Sequence, residues 1–112
     1  MEEDTVKEDA DLLNSVLPPL LEDFQHWFSR TTQLLETQEL TFLSPVEQTS
    51  LLERVRVAAK QVSASQSLAA VTAGQASIEM PVVMSWHKLV YECWGVALRY
   101  RKEQAAKPPD VA

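Results

Sequence analysis

The sequence has only two glycines, one cysteine and two histidines. Folds rich in strands and tight turns usually contain more glycine, so this scarcity favours helices. A single thiol, Cys93, cannot form an internal disulfide or a cysteine-based zinc site. Phosphate-binding loops need clustered glycines, and Gly74 and Gly95 lie far apart in the chain.

Long apolar runs are also missing. The sequence has no stretch of about 18 apolar residues, so we expect no insertion into a membrane. It begins Met-Glu-Glu-Asp-Thr, without the basic and apolar pattern of a secretory signal, which predicts a cytoplasmic protein. The net charge of −6 opposes binding to nucleic acid and to anionic membrane surfaces.

What the chain does contain is enough apolar sequence for one folded domain. Apolar residues make up 46% of its 112 residues, too many for a disordered chain. The first ten residues, by contrast, carry five acidic residues against a single lysine. We therefore predict a disordered acidic tail at 1–10, a single helical-bundle domain at 11–106, and a flexible tail at 107–112.

The first predicted helix has a broad apolar face whose members recur at three- and four-residue steps. They are Leu17, Leu20, Leu21, Phe24, Trp27, Phe28, Thr31, Leu34 and Leu35. Pro18 and Pro19 interrupt this pattern, although both fit in the first turn of a helix. We expect the main helix to begin at Pro18, after a short helical turn or kink, and to end near Gln38.

Capping signals define the start of the second helix. Ser44, Pro45 and Glu47 have the spacing of an N-terminal capping box with proline at the first helical position. We predict that this helix runs to about Ala73 and that Gly74 terminates it. Its predicted inner face consists of Leu51, Leu52, Val55, Ala58, Ala59, Val62, Ser65, Ala69 and Thr72.

The third helix is predicted from Pro81 to about Gln104. Its apolar residues alternate at four and three steps, which is a heptad seam, formed by Val82, Trp86, Leu89, Cys93, Val96 and Tyr100. Gly95 within this helix indicates close packing against a neighbouring helix. Three long helices with short connectors predict an all-α, up-down-up antiparallel bundle, and the pattern leaves open whether it is oligomeric.

The residue types that catalysis needs are too few to form a recognisable active site. His87 and Cys93 are six residues apart on one helix, about 120° from facing each other, so an enzyme built on them is the third choice. Glu22 and His26 share a helix face, but a metal site needs a full ligand set. We therefore predict no enzymatic activity, no metal and no cofactor.

The third helix has a second apolar stripe beside its seam, formed by His87, Tyr91, Trp94 and Leu98. Either this helix is central and packs on both sides, or the stripe contacts another chain. Aromatic residues with a polar end are favoured in the cores of interfaces. Our leading prediction is a non-enzymatic adaptor or interaction module that binds a protein partner or itself through these four residues, with a homodimer as the simplest form.

A second prediction comes from a different functional class. The bundle could hold a small apolar ligand or pigment between its helices, lined by Phe24, Trp27, Phe28, Trp86 and Trp94. Aromatic residues at helical spacing more often belong to a core than to a ligand pocket. Ligand binding is therefore the alternative hypothesis.

Three segments resemble a known family. They are LEDFQHWF at 21–28, FLSPVEQ at 42–48 and WHKLVYECW at 86–94. In this order, over roughly residues 11–102, the chain resembles a family of small cyanobacterial proteins of unknown function. The resemblance implies a cyanobacterial, cytoplasmic protein near the photosynthetic machinery. It implies no catalytic residues.

Overall fold

The computed structural model describes the backbone of residues 2–72 and 78–106, and the side chains of 16–72 and 78–106. It contains three helices: α1 (Glu2–Thr37), α2 (Pro45–Val71) and α3 (Met80–Ala106). The all-α prediction is confirmed, and α1 packs against both α2 and α3. None of the described helices is both long and apolar enough to cross a membrane.

Contacts between the helices give their directions. Gln25 Nε2 on α1 donates to the Ala59 carbonyl on α2 (2.9 Å), whereas Gln48 Nε2 near the start of α2 donates to the Leu35 carbonyl (3.0 Å). These two helices are therefore antiparallel. The Phe24–Trp86 and Trp27–Trp94 ring contacts show that α1 and α3 run in the same direction. The order is up-down-up, as the short connectors predict.

The prolines do not mark the start of the first helix, so that prediction was wrong. Pro18 and Pro19 lie inside α1, which continues on both sides of them. A helical proline cannot donate to the carbonyl four residues earlier and crowds it, so it normally ends or kinks a helix. Continuation is favoured here because Leu17 before the prolines and Leu21 after them are both buried in the core.

The acidic beginning of the chain lies within a helix. Residues 2–10 belong to α1, and the disordered tail expected at 1–10 stays a prediction. The local sequence favours a helix, because the stretch from Glu2 to Leu17 contains no glycine or proline and acidic residues are favoured at the positive end of the helix dipole. The predicted flexible tail at 107–112 and the predicted terminator Gly74 lie outside the described residues.

The core lies between the three helices and follows the predicted faces closely. Its buried apolar residues are Leu17, Leu21, Phe24, Phe28, Leu35, Leu40, Leu51, Val55, Ala58, Val62, Val83, Trp86, Leu89, Val90 and Cys93. On α3 the predicted heptad seam is only partly right, because Val83 and Val90 are buried and Val82 is exposed. The buried side chains at 83, 86, 90 and 93 still alternate at three- and four-residue steps, so the seam is shifted and not replaced.

The predicted capping box is present at the start of α2. The Ser44 hydroxyl accepts from the Glu47 backbone N–H (3.1 Å), and the Glu47 carboxylate accepts from the Ser44 N–H (3.1 Å). These bonds to Ser44 lower the pKa of Glu47 below its ordinary value. The box fixes where α2 begins and therefore how sharply the chain turns back after α1.

Gly95 does not mark a close approach between helices, which corrects the prediction. A Cβ at this position would have no neighbouring atom within 4 Å, because Gly95 lines an open groove between α2 and α3. The missing side chain is therefore not required by packing.

We expect Gly95→Ala to raise the free energy of unfolding by about 0.5–1 kcal/mol, since it removes the backbone entropy cost of a helical glycine. Urea denaturation followed by circular dichroism measures the change. The reciprocal control is Ala64→Gly on the exposed face of α2, which should lower the free energy of unfolding by a similar amount. A destabilised Gly95→Ala protein would contradict the open geometry.

Candidate protein-interaction surface

An array of aromatic side chains crosses the outer surface where α1 and α3 meet. We define the aromatic strip as Trp27 on α1 and the predicted residues His87, Tyr91, Trp94 and Leu98 on α3. The distances between ring centres are 4.8 Å for His87–Tyr91, 5.2 Å for Tyr91–Trp94 and 5.6 Å for Trp94–Trp27. All three contacts are edge-to-face, the arrangement that aromatic quadrupoles favour.

The strip is accessible along α3. Tyr91 is 58% exposed, Leu98 53% and Trp94 38%. Within the described residues, neither the Tyr91 hydroxyl nor the Trp94 indole N–H has a hydrogen-bond partner. Trp86 is a useful contrast, because it is buried and its indole N–H donates to Gln61 Oε1 (3.0 Å). The two tryptophans of α3 thus have different environments, one in the core and one on the surface.

Trp27 is the member of the strip that lies on the predicted apolar face of α1. It is only partly buried, and the His26 ring contacts it edge-on at 5.4 Å. The signal was present in the sequence: Trp27 lies at the edge of the apolar arc whose centre is Phe24 and Phe28. Residues at such an edge contact the neighbouring helix on one side and solvent on the other.

A groove continues from the strip towards the carboxyl ends of α1 and α3. We define the basic groove as Trp27, Arg30 and Leu34 on α1 together with Tyr100 and Arg101 on α3. With Thr31 and Ala97, these residues line a cavity of about 240 Å³. The Arg30 guanidinium lies 5.5 Å from the centre of the Trp27 ring, a cation–π contact. This groove was not predicted from the sequence, because its two arginines are far apart in the chain.

The residues proposed to line a ligand pocket are divided between two layers. Phe24, Phe28 and Trp86 are buried and pack on one another, with ring centres 6.2 Å apart for Phe24–Phe28 and 6.1 Å for Phe24–Trp86. Trp27 and Trp94 belong to the outer strip. The five side chains therefore do not face one common space.

Comparison with known proteins assigns the chain to a family. A family model described as "Protein of unknown function (DUF2605)" matches residues 7–102, which is most of the chain. The chain belongs to the DUF2605 family. This confirms the prediction of a family whose function is unknown, and the match includes the whole aromatic strip. No curated protein and no solved structure matches the chain.

The cysteine of this DUF2605 chain lies in the core. Cys93 is buried against α1, and burial raises the pKa of its thiol, while a hydrogen bond with the Thr31 side chain acts in the opposite direction. Thr31 is itself buried. The pair lies beneath the surface that carries the strip, where the thiol packs as a small apolar group.

The raised pKa predicts how stability changes in alkaline solution. The thiol of the unfolded chain loses its proton at a lower pH than the buried thiol, so ionisation favours the unfolded state. The contribution of the buried thiol to the free energy of unfolding is complete below the ordinary pKa of 9.0 and is lost as the pH rises above that value and through the raised pKa. We expect the free energy of unfolding to fall more steeply above pH 9.0 in the parent than in Cys93→Ala, as measured by urea denaturation across pH. Equal slopes would contradict this assignment.

Other surfaces of this DUF2605 chain also carry apolar residues. Among the described residues, none of these surfaces has an array of ring contacts like that of the aromatic strip. At the end of the bundle where α2 ends and α3 begins, the exposed apolar residues are Leu68, Val71, Met80, Val82 and Met84. Among the described residues, no three His, Cys, Asp or Glu side chains are grouped closely enough to hold a metal ion. The aromatic strip is therefore the candidate functional site.

Proposed function

We propose that this DUF2605 chain is a non-enzymatic helical interaction module that binds a protein partner through the aromatic strip. The observation that supports the proposal most is the exposure of Tyr91, Trp94 and Leu98 in one continuous row on α3. Their positions relative to each other are set by edge-to-face contacts that also include Trp27. A partner would bury this row without displacing any residue of the core.

The energetics of interfaces support this use of the strip. Tryptophan and tyrosine are enriched among residues whose removal costs a complex about 2 kcal/mol or more. Rings already held by their neighbours lose little further freedom on binding, which lowers the cost of association. The unpaired Tyr91 hydroxyl and Trp94 indole N–H of the described structure can each bond to a partner.

Binding of a small apolar ligand or pigment has less support. It would need Phe24, Phe28 and Trp86 to open a space between helices that their side chains now fill. We extend the proposal to a cytoplasmic location and a cyanobacterial source, and the source rests on the sequence resemblance alone. A role near the photosynthetic machinery rests on that same resemblance.

The test is capture of a partner with matched variants. The parent chain, the strip variant Tyr91→Ser/Trp94→Ser and the control variant Val46→Ser/Val57→Ser are each used as tagged bait in an extract of the source organism. Val46 and Val57 are exposed apolar residues on α2, so the control removes comparable surface from another face. We expect the parent and the control to capture the same protein and the strip variant to lose it.

The helicity of each bait is measured by circular dichroism, because an unfolded variant would lose partners for a trivial reason. An endogenous copy of the chain counts as a captured protein. The same set of proteins on all three baits would contradict the proposal, and so would a strip variant that loses its helicity.

A further inference from the structure

The basic groove is a positively charged site on an acidic protein. Arg30 and Arg101 line it, and the described residues around it include no acidic side chain. The ion pairs found in the described part of the chain are Arg54–Glu92 and Arg56–Glu36, both elsewhere, so neither groove arginine is paired there. The net charge of the chain is −6. Two arginines without an ion-pair partner among the described residues would attract a carboxylate-bearing partner.

The first helix is longer than the other two, and its additional length is acidic. At 1.5 Å per residue, the 36 residues of α1 extend about 54 Å, whereas the 27 residues of α2 and of α3 each extend about 40 Å. The excess lies at the amino end of α1, because its carboxyl end turns directly into α2. Residues 2–11 include six acidic residues and one lysine, a net charge of −5.

We propose that the basic groove of one copy binds the acidic segment 2–11 of α1 from a second copy. The charges are complementary, and the groove contains aromatic and aliphatic surface from Trp27, Leu34 and Tyr100 on which a helix can pack. The inference rests on the proposed function, because Trp27 belongs to both the strip and the groove. It identifies a second copy of the chain as the partner.

Each copy would bind the acidic segment of the other, so the dimer has two-fold symmetry. If the segment around residue 9 of each α1 lies beside Arg30 of the other, the two α1 helices are antiparallel. The two-fold axis then passes midway between these positions, between Pro19 and Leu20. Val16 lies near this axis and is 48% exposed. Each groove is then filled once and no acidic segment is left over.

Helix stability also favours a packing partner for the amino-terminal part of α1. Most of the stability of a helix in a protein comes from packing of one face and not from the intrinsic propensity of its residues. Pro18 and Pro19 weaken the hydrogen-bonded connection between residues 2–17 and the rest of α1. Packing in the groove of a second copy would stabilise this part of α1.

The experiment reverses the charges on each side of the proposed contact in the full-length chain. The groove variant is Arg30→Glu/Arg101→Glu, and the segment variant is Glu8→Lys/Asp9→Lys. Sedimentation equilibrium measures the mass of the parent, of each variant and of their equimolar mixture. We expect a parent dimer at twice 12.6 kDa. Each variant alone should dissociate, with a dimer dissociation constant raised on the order of 100-fold.

The mixture is the decisive sample. In a mixed dimer both contacts again join opposite charges, so the dimer mass should return. A monomeric parent, charge variants that remain dimeric, or a mixture that stays monomeric would each overturn the inference. The control variant Arg30→Gln/Arg101→Gln removes the two charges without reversing them and should weaken the dimer less than the groove variant. This graded response would show that the groove variant dissociates because of its charge and not because of a folding defect.

The outcomes separate this inference from the proposed function. A chain that is monomeric when purified but captures another protein through the aromatic strip would refute the second copy and keep the interaction module. A dimer that depends on the charges but not on Tyr91 and Trp94 would keep the second copy and refute the strip as the contact face.

Discussion

Replacing Phe28 by alanine is expected to lower the free energy of unfolding by about 3–5 kcal/mol. The Phe28 side chain is fully buried, stacks beside Phe24 and lies at the centre of the α1 face that contacts α2 and α3. Its removal leaves a cavity that the helices can fill only in part. Domains of this size are stable by about 5–15 kcal/mol, so much of the total would be lost.

Urea denaturation followed by circular dichroism measures this loss. Val57→Ala is the matched control, because Val57 is about half exposed on α2, and it should change the free energy of unfolding by less than about 0.5 kcal/mol. A Phe28→Ala protein as stable as this control would show that the core has been placed on the wrong face of α1.

Replacing Pro18 and Pro19 together by alanine should have the second largest effect, in the opposite direction. A proline in a helix interior costs up to about 3 kcal/mol relative to alanine, and both prolines lie exposed inside α1. Alanine restores two backbone donors and removes the ring that crowds the preceding turn. We expect a higher helical signal and slower amide hydrogen exchange in residues 2–17.

The control for this double variant is Ser29→Ala, an exposed change in the same helix that leaves its backbone hydrogen bonds unchanged. Hydrogen exchange resolved by residue separates α1 before the prolines from α1 after them. Unchanged exchange in residues 2–17 would contradict a single helix that runs through both prolines.

Local chemistry explains which parts of the fold were predictable from the sequence. The start of α2 depends on hydrogen bonds between Ser44 and Glu47, three residues apart, so the sequence contains the whole signal. The buried faces of α1 and α2 depend on helical period alone and were predicted nearly residue by residue. The course of the chain through Pro18 and Pro19 depends on packing on both sides of them, at Leu17 and Leu21, whereas local proline chemistry favours a break.

The candidate site was predictable on α3 but not across to α1. The spacing of His87, Tyr91, Trp94 and Leu98 showed a second apolar stripe, and the structure leaves three of these residues exposed. Sequence alone could not show that Trp27 reaches Trp94, because their contact depends on how α1 and α3 are aligned. Arg30 and Arg101 belong to one groove for the same reason, although 71 positions separate them.

The most direct measurement of the central claim is site-specific photo-crosslinking in cells of the source organism. A benzophenone amino acid is placed at position 91 in the aromatic strip or, as the control, at position 57 on α2, two positions of similar exposure. We predict a discrete adduct with one protein, a second copy or another chain, from position 91 and none from position 57. Adducts that are absent at both positions, or equal at both, would contradict the aromatic strip as the contact face.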